Sequence, residues 1–166
     1  MPKDPGDMTD SEIRARIRRL AFADDEKILQ EFTEILRSGL PPGTGVALRG
    51  SVVTDEKYED SRPFDADGPR TSDLDVTLIG DQVMEFWEKE AFYIPKLHTK
   101  PLGDKDPECA PNLDPLRRTL QALVNRPVNF QATANIILYA RDVLFNQPYY
   151  VLIEPNEKSD SETADV

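Results

Sequence analysis

The sequence predicts a mixed α/β (α+β) domain, a small mixed β-sheet with helices mainly on one face. Three observations predict it. The 166 residues suit one domain with one hydrophobic core. Several segments place apolar residues three or four positions apart, as helices do, and shorter segments alternate or run apolar, as strands do. These segments follow in the order helix, strand, strand, helix, helix, strand, helix, strand.

Residues 1–8 contain two prolines, a glycine and no apolar period, and read as a flexible lead. Thr9 and Glu12 have capping-box spacing, and Ile13, Ile17, Leu20 and Ala21 then recur at helical intervals. Asp24 and Asp25 suit the cap of further helix carrying Ile28, Leu29, Phe32, Ile35 and Leu36, with Gly39 as its stop and Pro41 and Pro42 beyond. One kinked helix and two separate helices both fit. Val46 to Leu48 is a strand candidate running into Arg49, Gly50 and Ser51. Residues 54–70 hold six acidic and three basic residues, two prolines and a glycine, and form an insertion. Residues 74–79 alternate as a strand that Gly80 ends. Residues 82–92 suit a helix with Val83, Phe86 and Trp87 on one side, the aromatic residues serving as core. Residues 93–112 carry prolines and no clear period, so a long loop is expected.

Asp114 and Pro115 make a cap and first-turn pair for a helix with Leu116, Leu120, Leu123 and Val124. Residues 128–132 are a strand. Residues 136–145 are a helix with Ile136, Ala140, Val143 and Leu144 aligned, and residues 149–153 are a last strand. The acidic segment 155–166 is expected to be disordered. The domain thus spans residues 9–154.

Thirty-one acidic and twenty basic residues give a net charge of −11, which argues against loose electrostatic binding of nucleic acid. No apolar run approaches the ~20 residues of a membrane span. The first residues lack the apolar stretch of a secretory signal. Cys109 is the single cysteine and His98 the single histidine, so an intrachain disulfide, a thiolate-rich zinc site and a multi-histidine metal site are excluded. A soluble cytoplasmic protein without a membrane partner is expected.

The chemistry concentrates between Val46 and Gly80. Residues i and i+2 of a strand share a face, so Asp73 and Asp75 set two carboxylates side by side. Like charges so close repel unless compensated, and Mg²⁺ is a fitting compensation: it takes oxygen ligands, often one or two carboxylates plus substrate phosphates. Gly50 lets the backbone approach a ligand, and the amides at Gly50 and Ser51 suit an anion. Arg49 beside this turn suits either a phosphate or a surface acid.

The run Leu48, Arg49, Gly50, Ser51, followed by Ser72, Asp73, Leu74, Asp75, Val76, resembles the signature of the polymerase-beta-type nucleotidyltransferase superfamily, and most its short single-domain bacterial members. The resemblance covers about residues 24–154. It implies a nucleotidyltransferase-like fold and transfer of a nucleoside monophosphate from a nucleoside triphosphate to an acceptor hydroxyl, with release of pyrophosphate. It implies that Arg49, Gly50, Ser51 and Ser72 bind the nucleotide, and that Asp73 and Asp75 bind Mg²⁺, for which Mn²⁺ can substitute. The acceptor it leaves open: a small molecule, a protein or an RNA end.

The sequence departs from the pattern twice. Twenty-one residues separate Ser51 from Asp73, a long spacer. The insertion reads first as a solvated loop and second as a lid or acceptor-recognition loop; Asp65 and Asp67 have ligand spacing within it. On the strand where the family often has a third carboxylate stands Asn129, whose amide oxygen can ligate Mg²⁺ but cannot act as a base. The alternative function is therefore a catalytically impaired binding or regulatory module, antitoxin-like, acting with a partner protein. His98 is expected at the surface, with phosphate contact the second reading. Arg117, Arg118 and Arg126 suggest a small basic surface, and Arg14, Arg16, Arg18 and Arg19 a solvated helix face.

Overall fold

The capping box at Thr9 closes on both sides in a computed structural model that describes residues 2–142 and 144–155. Thr9 Oγ1 accepts the Glu12 N–H at 3.1 Å, and Glu12 Oε1 accepts the Thr9 N–H at 3.0 Å. Helix α1, Asp10–Ala21, follows. Ala23 and Asp24 then adopt φ of 54° and 53°, which ends the helix, and the Asp25 carboxylate caps α2, Glu26–Gly39, by accepting the Lys27 N–H. The two readings of this segment thus resolve to two helices.

The remaining elements are β1 (Gly45–Arg49), α3 (Ser51–Thr54), β2 (Leu74–Ile79), α4 (Asp81–Met84), β3 (Phe92–Ile94), β4 (His98–Thr99), α5 (Asp114–Val124), β5 (Val128–Thr133), α6 (Ile136–Asp142) and β6 (Tyr149–Ile153). Among the described residues the strands form one six-stranded mixed sheet in the order β3-β4-β5-β2-β1-β6. Only β2 and β5 run parallel; the other neighbours are antiparallel. The α+β expectation therefore holds.

Strand alternation divides the sheet chemically. Val46, Leu48, Leu74, Val76, Leu78, Val128, Phe130 and Ala132 belong to the buried core, together with Ile13 and Ile17 of α1, Leu29, Phe32 and Leu36 of α2, and Leu120 of α5. Gly39 permits the close approach of α2 and α5: a Cβ there would lie 2.7 Å from a Leu116 methyl. The intervening strand positions, Arg49, Asp75, Thr77, Asn129, Gln131 and Thr133, form the opposite, polar face. Helix α6 lies against that face, where the Tyr139 hydroxyl donates to Gln131 Oε1 at 2.5 Å.

Several expectations change. The helix over residues 82–92 shrinks to α4, because the chain tightens into i→i−3 bonds at Phe86 and Trp87 and the Trp87 indole N–H reaches the Lys100 carbonyl at 2.9 Å. The loop over residues 93–112 contains the β3–β4 pair. His98 is fully buried in β4, with Nδ1 3.0 Å from Thr133 Oγ1, so it is neither a surface side chain nor a phosphate contact. Arg117 and Arg126 are buried rather than a basic surface. Arg117 donates to Asp114, Gln121 and the Val128 carbonyl, which ties α5 to β5. Arg16 leaves the solvated face too, donating to the carbonyls of Val53 and Lys3. Val143 and the acidic segment past residue 155 lie outside the described residues.

Candidate active site

The site begins where β1 ends. Pairing of β1 with β2 sets Arg49 opposite Asp75. Gly50 follows at φ 79°, ψ −149°, a conformation that side chains rarely adopt, and turns the chain into α3. A Cβ at Gly50 would stand 3.0 Å from Asp75 Oδ2, so glycine is needed for both the turn and the close approach of the acid. The Gly50–Ser51 turn and the acidic strand, distant in sequence, are thus in direct contact.

Parallel pairing of β2 with β5 sets Asn129 beside Asp75. The Asn129 amide donates to Asp73 Oδ2 at 2.9 Å and to Asp75 Oδ1 at 3.3 Å. One amide nitrogen therefore bridges two carboxylates. The amide oxygen, the atom that would ligate a metal, points instead to the chain at Gly103, where a Cβ would lie 2.6 Å from it. Asn129 is in the place that the sequence indicates, but as a donor to the acids.

Burial pushes the Asp75 carboxyl pKa up. The Arg49 guanidinium and the Asn129 amide pull it down, and Asp73 and Glu59 push it up again; the net direction is up. Arg49 Nη1 lies 3.8 Å from Asp75 Oδ2. Its Nε donates to Thr77 Oγ1 at 3.1 Å and its Nη2 to Gln131 Oε1 at 2.9 Å. Gln131 is itself held by the Tyr139 hydroxyl and by its own donation to the Thr99 carbonyl. Arg49 is thus anchored against the sheet as the countercharge of Asp75.

Ser72 braces the insertion. Its hydroxyl accepts the Asp65 N–H at 2.8 Å, and its own N–H donates to Asp65 Oδ1 at 2.9 Å. Arg126 holds both Asp65 oxygens, at 2.9 and 3.0 Å, and its guanidinium lies 4.6 Å from the centre of the buried Phe64 ring. Asp67 pairs with Lys57 and Arg62. The base of the insertion is a fixed part of the fold and not a free loop, and both of its ligand-spaced acids are engaged by cations.

Arg49, Gly50, Ser51, Ser72, Asp73 and Asp75 line one cleft of about 390 Å³. Its walls also include Lys57, Tyr58 and Glu59 of the insertion and Phe145 and Gln147 of the segment after α6. The structure therefore gathers all the expected site residues except Asn129 on the cleft wall, and Asn129 meets two of them by hydrogen bond. Gln131 was legible as the next same-face position after Asn129. Tyr58, Glu59, Phe145 and Gln147 carried no sequence signal, since no motif spacing links them to the acids.

Among the described residues no group of three or more His, Cys, Asp or Glu side chains is placed to hold a metal ion. Two carboxylates alone suit Mg²⁺ only if a substrate supplies further oxygens. No helix among the described residues is long and apolar enough to cross a membrane. The chain matches no protein-family model, no curated protein and no solved structure.

Proposed function

We propose that this chain is a Mg²⁺-dependent nucleotidyltransferase that moves a nucleoside monophosphate from a nucleoside triphosphate to an acceptor hydroxyl. One observation carries the reading: the Gly50–Ser51 turn touches the Asp73–Asp75 strand inside a single cleft. An anion-binding turn and a cation-binding pair in contact are what a metal-bound triphosphate requires. The acids fit a divalent ion because, among the described residues, one amide donor and one guanidinium compensate them. Asp73 and Asp75 would hold Mg²⁺, with Mn²⁺ as substitute, and Asn129 would add its oxygen only with its amide turned over. When bound, the ion supplies neutralisation of phosphate charge and a more acidic acceptor hydroxyl.

In this reading the backbone at Gly50 and Ser51 cradles the phosphates. Arg49 positions Asp75, and Asn129 spaces the two carboxylates. The acceptor oxygen bonds to the α-phosphorus, the bond to the bridging oxygen breaks, pyrophosphate leaves and the hydroxyl proton passes to water. The acceptor class stays open among small molecules, protein hydroxyls and RNA ends. A cytoplasmic setting belongs to this reading, since nucleoside triphosphates and a lone reduced thiol suit it.

The test is incubation of the protein with each labelled nucleoside triphosphate and Mg²⁺ or Mn²⁺ in cell extract, with the labelled product identified by mass. Combined replacement Asp73→Asn with Asp75→Asn is expected to abolish metal-dependent transfer. Retained transfer in that variant would sink the assigned roles.

A second reading is favoured by the Asn129 bridge and the anchored Arg49, which occupy part of the space around the acids and compensate them in part without any metal. In it the chain binds nucleotide without turnover and regulates a partner protein. Calorimetry with the four nucleoside triphosphates in Mg²⁺, followed by a pyrophosphate assay, separates the two. Binding without pyrophosphate release under every acceptor favours regulation.

A further inference from the structure

The two most exposed large hydrophobic side chains among the described residues are Tyr58, 79% exposed, and Phe145, 74% exposed. They come from distant parts of the sequence, yet both line the cleft that holds Asp73 and Asp75. Neither is needed to fill the core, and neither is a loose appendage. Tyr58 lies within a loop closed by the Lys57 N–H donating to the Arg62 carbonyl at 2.6 Å and the Ser61 N–H donating to the Lys57 carbonyl at 2.8 Å. Phe145 lies in a turn closed by the Gln147 N–H donating to the Leu144 carbonyl at 3.0 Å and the Asn146 N–H donating to the Ala140 carbonyl at 2.8 Å. The Phe145 backbone has φ 51°, an unfavourable region for a bulky residue, and its side chain gains no burial to offset that.

A nucleoside triphosphate has a charged end and a flat, weakly hydrated end. The lining of the cleft holds groups suited to both. Gly50, Ser51, Asp73 and Asp75 offer backbone amides and carboxylates for phosphate and metal, while Tyr58 and Phe145 offer aromatic faces. Exposed aromatic faces stack on nucleobases and tolerate any base, because every base has a π face. Gln147, which also lines the cleft, carries both a donor and an acceptor for a base edge.

We infer that Tyr58 and Phe145 form the nucleobase subsite of this cleft, with Gln147 at the edge of the base. The inference rests on the nucleotidyltransferase reading in one respect, that a nucleotide enters the cleft. It adds which end of the nucleotide meets the insertion, and it gives the insertion a substrate-binding task at its tip while its base stays structural.

Calorimetry on the full chain tests it, with ATP, GTP, CTP, UTP and inorganic tripolyphosphate as separate probes in Mg²⁺. Tyr58→Ala and Phe145→Ala are each expected to weaken the best-bound nucleotide about tenfold, in line with base–aromatic stacking, and to leave tripolyphosphate affinity unchanged. Tyr58→Phe keeps the ring and is expected to bind as the unaltered chain does. Both positions are exposed, and circular dichroism confirms that the variants fold. If both alanine variants bind nucleotide normally, the subsite falls while the nucleotide reading stands. Equal affinity of the unaltered chain for tripolyphosphate and all four nucleotides also overturns the subsite. Binding of neither probe class removes the nucleotide reading and the subsite with it.

Discussion

Asp65 and Asp67 are spaced as Asp73 and Asp75 are; the second pair lines the cleft, and the first bonds to Ser72 and Lys57, which line it too. In the insertion, Arg126 takes both oxygens of Asp65, and Lys57 and Arg62 take Asp67. Burial pushes the Asp65 carboxyl up, but its bonds from Arg126 and from the Ser72 N–H outweigh that and hold its pKa below the ordinary value. At the start of β2, Asp73, just before the strand, and Asp75, within it, share one neutral amide, and Arg49 stands 3.8 Å from Asp75. There burial wins and the Asp75 pKa rises. The difference teaches that carboxylate spacing does not make a metal site. The first pair is satisfied by cations that the fold supplies. The second is fixed on one face by strand geometry and left under-compensated, and a group in that state has reason to accept a cation from outside.

The sharpest way to break this comparison is Asp75→Asn. If the β2 pair serves function and not stability, transfer should fall about 100-fold or more, read as pyrophosphate release in Mg²⁺. The melting temperature should hold or rise, because the raised pKa means that the folded state disfavours the ionised carboxylate at neutral pH. A large loss of melting temperature with transfer intact would reverse the roles of the two pairs.

Arg126→Met attacks the other pair. The Arg126 side chain is 4% exposed and Asp65 22%, so the change strands a largely buried carboxylate. Loss of one partner of a buried pair costs about 3 kcal/mol, which urea denaturation measures. A cost within error would show that the insertion is not anchored through this contact.

The smallest effect is in acid. Asp65 has a lowered folded pKa, so its stabilising contribution is complete above the ordinary value of 3.8 and is lost as pH falls below that, through the folded value. Asp65→Asn should therefore lower the melting temperature at pH 7 and bring the unaltered and variant melting temperatures together as the pH falls below 4. Asp67→Asn, at an exposed carboxylate, should leave melting unchanged and serve as the control. A constant gap between the Asp65→Asn and unaltered proteins from neutral to strongly acid pH would remove the pair from the account of stability.

Much of the site was legible because its signals are local or periodic. The two-residue spacing of extended chain predicts Asp73 and Asp75 on one side, Asp73 just ahead of β2 still reaches the same Asn129 amide as Asp75, and the pairing of β5 with β2 brings Asn129 there. Gly50 follows from the turn that ends β1. The role of Ser72 was not legible, since its hydroxyl is committed to an insertion residue whose path the spacing does not reveal. Nor was the orientation of Asn129, which depends on Gly103 of a chain segment that approaches from elsewhere.

The sequence by itself determined the α+β class, the helix caps at Thr9 and Asp25, and the strand faces, because each follows from hydrogen bonding and side-chain direction within a few residues. Tertiary structure alone decided the burial of Arg117, Arg126 and His98, the split of residues 54–70 into an anchored part and a cleft-lining part, and the presence of both Tyr58 and Phe145 in one cleft. A charge or an aromatic ring carries no local mark of its partner. Whether it ends in water, in an ion pair or beside a ligand depends on which distant segment packs against it.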